Sequence, residues 1–93
     1  MTHYRWDDEK NRWLQQERGI RFEQIVAALE AGALLDELVH PNPERYPGQY
    51  VLIVKLEDYA YVVPSVVDGE TYFLKSAWPS RKATRDYLGR DNV

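Results

Sequence analysis

The chain has 93 residues, of which 44% are hydrophobic and 29% charged, and it contains no cysteine. These values are typical of a single soluble globular domain, and they exclude disulfides, thiolate zinc sites and cysteine nucleophiles. The formal net charge is −3, whereas nucleic-acid-binding domains are more often strongly basic, which argues against a DNA-associated regulator. We expect residues 1–93 to form one domain.

Charge and hydropathy are distributed unevenly along the chain. Residues 1–69 carry seven Lys/Arg and twelve Asp/Glu, while residues 70–93 carry five Lys/Arg and three Asp/Glu. The protein therefore has an acidic body and a basic C-terminal end. The first residues lack the apolar core of a signal peptide, and no apolar run approaches the roughly 20 residues that cross a bilayer. We expect a cytoplasmic protein with no membrane partner.

Two helices are predicted in the first third of the chain. Asp7 and Asp8 suit a helix start, and Gly19 suits the end of a helix over residues 9–18. Trp6 and Trp13 are predicted to lie in the core, because indoles at this spacing usually anchor a helix to a sheet. A second helix begins at residue 22, with an apolar face at the i, i+3, i+4, i+7 spacing; its members are Phe22, Ile25, Val26 and Leu29.

The remainder is predicted to be rich in strands. Residues 34–39, 50–56, 59–67 and 71–77 read as strands, with a further short strand over residues 4–6, and residues 40–48 form a proline-rich loop. Pro64 cannot donate to a ladder, so the third of the four strands is bulged, broken or at an edge there. Asp68 and Gly69 predict a two-residue hairpin turn. Ser80 and Gly89 bound a last helix over residues 81–88.

This order predicts an α+β domain. Two N-terminal helices pack on a roughly four-stranded antiparallel sheet, and a C-terminal helix follows. The strands over residues 50–67 are apolar at both parities, which is typical of strands buried on both faces. One face is therefore covered by the leading helices, and the other by the C-terminal helix or by a partner.

Several short motifs resemble one known protein family. Positions 6–11 read W-D-D-E-K-N and positions 19–23 read G-I-R-F-E; near the C-terminus, S-A at positions 76–77 is followed by R-K-A-T at positions 81–84. The two N-terminal motifs resemble, in letters and spacing, the BrnT-type toxins in the broad RelE/ParE-like superfamily. The C-terminal motif is similar to theirs only in layout, because Pro79 and Ser80 stand as an insertion before Arg81. The sequence departs from that pattern at Trp78, where the family usually has arginine, and at Lys75, where an apolar residue is usual.

The resemblance implies the toxin of a type II toxin–antitoxin system. Such a toxin is a ribosome-independent endoribonuclease with no cofactor, and it forms a hetero-oligomer with a small DNA-binding antitoxin. Members of the superfamily hold the RNA phosphate with basic side chains, while one group assists proton transfer.

On this basis the candidate catalytic residues are Arg81, Arg85, Lys75 and His40. Arginine suits phosphate because its planar fork bridges two oxygens, and histidine is the side chain that titrates nearest neutral pH. Candidate RNA-binding residues are Lys82, Tyr72 and Tyr87, the tyrosines by stacking on bases. The two histidines are far apart in sequence, so no metal site is predicted.

An alternative interpretation stays open for each of these residues. A Lys/Arg run on a terminal helix is also typical of a solvated surface, and a loop histidine has no required role. Tyrosines are also common in strands and at protein interfaces. The same fold could thus serve as a non-catalytic module that binds an antitoxin-like partner.

Overall fold

A computed structural model describes residues 1–89, and it confirms the α+β class. Arg90, counted above with the basic end, lies outside the described residues. No helix in residues 1–89 is long and apolar enough to cross a membrane. In chain order the elements are β1 His3–Trp6, α1 Asp8–Arg18, α2 Phe22–Glu30, β2 Leu34–Val39, β3 Gln49–Leu56, β4 Tyr59–Asp68, β5 Thr71–Leu74, β6 Trp78–Pro79 and α3 Arg81–Leu88.

The first helix begins and ends where the sequence predicts. The Asp7 carboxylate accepts a hydrogen bond from the Glu9 backbone N–H at 3.0 Å, which satisfies one of the free donors at the helix start. Gly19 ends α1 in the left-handed conformation, at φ 68°, where glycine meets no Cβ penalty. Ile20 follows and is buried behind the cap. The chain then turns directly into α2.

Asn11 joins the two leading helices. Its Oδ1 accepts a hydrogen bond from the Phe22 N–H at 2.8 Å, and its Nδ2 donates to Glu23 Oε1, also at 2.8 Å. The Trp6 and Phe22 rings stack with centroids 5.8 Å apart. The Asn11 amide also lowers the pKa of Glu23, because its hydrogen bond favours the charged carboxylate. The two N-terminal motifs therefore contact each other and fix the angle between α1 and α2.

The sheet differs from the predicted one in strand number and direction. Its order is β1-β5-β4-β3-β2, and β6 pairs with β4 beside this path. The meander from β2 to β5 is antiparallel, as predicted. The prediction of a roughly four-stranded, wholly antiparallel sheet is wrong, because the sheet has six strands and β1 runs parallel to β5. A four-residue edge strand has too short a pattern to indicate its partner or direction.

Pro64 accounts for the division of the last predicted strand. On one side β4 pairs with β3 without interruption; on the other, Tyr61 and Val62 pair with β6, and pairing with β5 starts at Ser65. Pro64 lies between these two partners, so its missing N–H breaks no ladder bond. The predicted strand over residues 71–77 therefore ends at Leu74, and residues 78–79 form a separate strand rather than a simple break.

The turn between β4 and β5 lies one residue later than predicted. Asp68 pairs with Thr71, so the two turn residues are Gly69 and Glu70. Gly69 occupies the first turn position with φ 61°, a positive angle that two-residue hairpins require there.

Both faces of the sheet are covered, as the strand pattern predicts. The face under α1 and α2, here called the helical face, holds the larger core, built on the fully buried Leu14, Phe22 and Ile25 with Leu52 and Val54 from β3. On the opposite face, here called the α3 face, Ile53 and Ala60 pack with Ala83 of α3. Successive residues of β3 point to opposite faces, and this explains its apolar residues at both parities.

Trp13 is not a core residue. Its side chain is 40% exposed, with Lys10 Nζ 4.0 Å and the Arg18 guanidinium carbon 4.6 Å from the ring centroid. The neighbouring Leu14 turns inward and is fully buried instead. On a helix that covers one sheet face, adjacent positions lie about 100° apart, so Trp13 and Leu14 cannot both face the core. Trp6 packs against the core but is only partly buried.

Candidate functional site

The C-terminal helix is tied to the sheet by polar contacts at Ala60. The Ser80 hydroxyl caps α3 by accepting a hydrogen bond from Ala83 N–H at 3.0 Å. The Thr84 hydroxyl is fully buried, accepts a hydrogen bond from Ala60 N–H at 2.9 Å and donates to Ser80 O at 2.7 Å. The Ala60 carbonyl in turn accepts from Ser80 N–H at 2.9 Å. Both backbone groups of Ala60 are thus satisfied, and α3 is held across the α3 face.

Two adjoining cavities lie on the α3 face and share Val51 as a lining residue. We call them together the α3-face groove. The cavity beside α3 has a volume of about 270 Å³ and is lined by Leu38, Val51, Ile53, Val62, Ser80, Lys82, Ala83, Asp86 and Tyr87. The cavity farther from α3 has a volume of about 150 Å³ and is lined by His40, Gln49, Tyr50, Val51, Pro64, Ser65, Val66 and Lys75.

His40 and Lys75, two of the predicted catalytic residues, line the same cavity. They are 35 positions apart in the sequence, and the β2–β3 and β4–β5 pairings bring them together. The Lys75 backbone N–H donates to Pro64 O at 2.8 Å, which places this residue at the edge of the cavity. Its ammonium lies 5.0 Å from the Phe73 ring centroid and remains exposed.

The ring nitrogens of His40 have different roles. Nδ1 accepts a hydrogen bond from the Asn42 N–H at 3.0 Å. A neutral imidazole with an acceptor at Nδ1 carries its proton on Nε2. In that tautomer the ring has an N–H donor at Nε2 rather than a free base. Such a donor suits a phosphate oxygen.

Lys82 and Tyr87, two of the predicted RNA-binding residues, line the cavity beside α3. The Lys82 ammonium lies 3.4 Å from Asp86 Oδ2, and both side chains are substantially exposed, so the pair contributes about 0–1 kcal/mol and can open for an anion. The Tyr87 hydroxyl donates to Asp36 Oδ2 at 2.6 Å. This hydrogen bond, more than burial, raises the pKa of Tyr87 and holds its phenol in the neutral form.

Arg81, Arg85 and Tyr72 are not placed with these residues. Neither arginine lines either cavity of the groove, and Arg85 Nε lies 3.7 Å from Asp86 Oδ1. Arg81 is exposed and makes no ion pair within residues 1–89. Tyr72 lies on the helical face, where its hydroxyl donates to Glu37 Oε1 at 3.1 Å; burial and then this hydrogen bond raise its pKa. Of the predicted site residues, all within residues 1–89, the groove combines His40, Lys75, Lys82 and Tyr87.

Sequence reasoning missed two acidic residues and one aromatic residue at this site. Asp36 and Asp86 hold the groove's tyrosine and lysine, and Tyr46 stacks on His40. The four-residue spacing of Lys82 and Asp86 was a readable signal for one of these pairs. Within residues 1–89, no group of three or more His, Asp or Glu side chains is arranged to hold a metal ion.

No protein-family model, no curated protein and no solved structure matches this chain.

Proposed function

We propose that this protein is a BrnT-like toxin that cleaves RNA in the α3-face groove. The observation that carries the proposal is the grouping of Lys75, Lys82 and the His40 N–H donor on one face of an acidic protein. Two ammonium groups and an imidazole N–H around a concave surface are suited to a phosphodiester, since each can hold a non-bridging oxygen. The groove has this character although the chain as a whole is negatively charged.

The reaction needs positioning and charge stabilisation more than a strong base. The 2′-oxygen of a ribose attacks the adjacent phosphorus, the bond to the 5′-oxygen breaks, and the products are a 2′,3′-cyclic phosphate and a 5′-hydroxyl. Lys75 and the His40 Nε2–H stabilise the charge that develops on the phosphoryl oxygens. The Lys75 ammonium supplies the proton that the leaving 5′-oxygen takes up, and the 2′-hydroxyl proton passes to water.

The test is RNA cleavage by the purified protein, with single-residue variants. We expect the wild type to produce fragments that end in a cyclic phosphate. Lys75→Ala should slow cleavage by about 100-fold, the lower end of what one proton-transfer group contributes. Arg12→Ala is the matched control, because Arg12 is an exposed cation of α1 away from the groove. Intact RNA after incubation with correctly folded wild type, and healthy cells that express it, would refute the proposal.

The Arg81→Ala variant tests which basic side chain of α3 holds the RNA phosphate. The sequence alone favours Arg81 and Arg85 as the phosphate ligands, whereas the groove is lined by Lys82 from the same helix. We expect Lys82→Ala to weaken RNA binding more than Arg81→Ala does. The reverse order would place the scissile phosphate on the other side of α3.

A second candidate is a non-catalytic module that binds an antitoxin-like partner. The observation that favours it is the engagement of His40 Nδ1 by Asn42, because the imidazole then has no free lone pair for a general base. Leu34, Leu38 and Val39 are also exposed on β2 at the sheet edge, where another chain can add. Co-purification with a small DNA-binding protein agrees with both candidates, and only RNA cleavage distinguishes them.

A further inference from the structure

The loop over residues 40–48 is held in one conformation by backbone contacts. The Asn42 carbonyl accepts a hydrogen bond from the Tyr46 N–H at 3.0 Å, and the Tyr46 carbonyl accepts one from Gln49 N–H at 3.4 Å. The Gly48 carbonyl accepts a hydrogen bond from Val67 N–H at 2.7 Å, which ties the loop to β4. The loop is therefore pre-organised, although its three prolines suggest only a linker.

Gly48 is required for this attachment. Its φ is +74°, and a Cβ at this position would lie 2.7 Å from the Val67 carbonyl oxygen, well inside van der Waals contact. A residue with a side chain would thus be strained and would also push the loop away from β4.

The loop presents an aromatic ring beside the groove. The Tyr46 ring contacts His40, with centroids 4.4 Å apart and planes tilted by 40°, and His40 itself lines the cavity with Lys75. The Arg45 guanidinium carbon lies 5.7 Å from the Tyr46 centroid. Tyr46 nevertheless remains 37% exposed. An exposed ring on a hydrogen-bonded loop, beside a cation and next to a cavity, is the arrangement that single-stranded nucleic-acid sites use.

We propose that Tyr46 is a base-stacking residue that selects single-stranded RNA for the groove. This inference rests on the proposed function. One unpaired base stacks on the exposed part of the Tyr46 ring, beside the Arg45 guanidinium, and the adjacent phosphate then reaches His40 and Lys75. A base within a duplex is already stacked on both sides, so double-stranded RNA cannot use Tyr46. The ring accepts any base, so Tyr46 sets strandedness rather than sequence.

The experiment measures binding separately from cleavage. The probe is a fluorescently labelled 2′-O-methyl RNA octamer, which lacks the attacking hydroxyl, and fluorescence anisotropy gives its Kd with the full-length protein. Tyr46→Ala should weaken binding by about 5- to 100-fold, the range for loss of one base–aromatic stack. Tyr46→Leu keeps the apolar bulk without a ring and should weaken it similarly, whereas Tyr46→Phe should bind close to wild-type strength. Trp13→Ala is the matched control, because Trp13 is an exposed ring with cations above it on α1.

The outcomes separate this inference from the proposed function. If the wild type cleaves RNA but Tyr46→Ala binds the octamer as tightly as wild type, the inference is overturned and the function stands. Octamer binding that depends on Tyr46 without any cleavage of ordinary RNA supports the stacking role and refutes the nuclease. A duplex of the same sequence bound as tightly as the single strand overturns the inference, as does failure to bind the octamer at all.

Discussion

Replacing Thr84 by valine tests whether the attachment of α3 depends on one buried hydroxyl. Valine has nearly the shape of threonine, so Thr84→Val leaves the packing in place and removes two hydrogen bonds. The Ala60 N–H would then point into a buried region without an acceptor, and Ser80 O would lose one of its donors. The substitution therefore isolates the polar contribution from the contribution of packing.

The loss of folding free energy caused by Thr84→Val comes from the Ala60 N–H, which is left without an acceptor. A buried donor left without a partner costs about 1–3 kcal/mol, and for a domain of this size 1 kcal/mol shifts Tm by about 4–8 °C. We therefore expect Thr84→Val to lower Tm by about 4–24 °C. Thr84→Ser is the control, because it keeps the hydroxyl and loses one methyl group, worth about 1 kcal/mol.

Urea unfolding followed by tryptophan fluorescence gives the free energy of unfolding for the three proteins. The Thr84→Val variant should have a lower free energy of unfolding than the Thr84→Ser variant, with an unchanged m-value. The Ala60 amide should also exchange its hydrogen faster in the Thr84→Val variant. If Thr84→Val is as stable as wild type, or more stable than Thr84→Ser, then the hydroxyl does not attach α3 and the reasoning fails.

Two further predictions concern the loop and the tyrosines of the sheet. Gly48→Ala should lower the free energy of unfolding in urea by about 1–3 kcal/mol. The loss should exceed that of Gly69→Ala, because Gly69 also has a positive φ but an added Cβ there meets no atom within 4 Å. Equal losses for the two variants would disprove the contact with Val67. Burial, then Glu57 and Tyr59, raise the pKa of Tyr61 above its ordinary 10.0. Folding therefore favours the protonated phenol, and stability that is fully present below pH 10 is lost as pH rises through the folded-state pKa. Tyr61→Phe should lose less stability than wild type over that alkaline range, and parallel curves for the two proteins would contradict the assignment.

Much of the fold could be predicted because its signals are local. Asp7, Gly19, Ser80 and Gly89 mark helix ends through backbone contacts within a few residues, and all four lie where the sequence predicts. The direction of β1 could not be predicted, because β1, at residues 3–6, pairs with β5, at residues 71–74, and the two strands are far apart in the sequence. The Asp68–Thr71 pairing is local, and it moves the turn by one residue although glycine is still used.

The candidate site was predictable residue by residue but not as an arrangement. His40 and Lys75 were chosen for their chemistry, and only the sheet register shows that they share a cavity. In contrast, Arg81 and Lys82 are adjacent in the sequence but point in different directions from α3. Lys82 lines the groove, while Arg81 does not. Tyr46 was missed because three prolines made its loop resemble a simple connection, and the hydrogen bonds that order it involve the backbone.

Most of the residues that carry the family resemblance have structural roles within residues 1–89. Some of them cap α1 or join α1 to α2, and others are buried after β5 or on the inner side of α3. These residues are Trp6, Asp7, Asn11, Phe22, Glu23, Ala77, Ala83 and Thr84. Motifs of this kind predict how a chain folds more directly than what it catalyses. The groups that we propose act on a phosphodiester are instead His40, Lys75 and Lys82, of which only Lys82 falls within a motif. Substitutions in the motifs should therefore reduce stability and activity together, whereas Lys75→Ala should reduce activity alone. A Lys75→Ala protein that unfolds as easily as Thr84→Val would show that the groove, too, is part of the architecture.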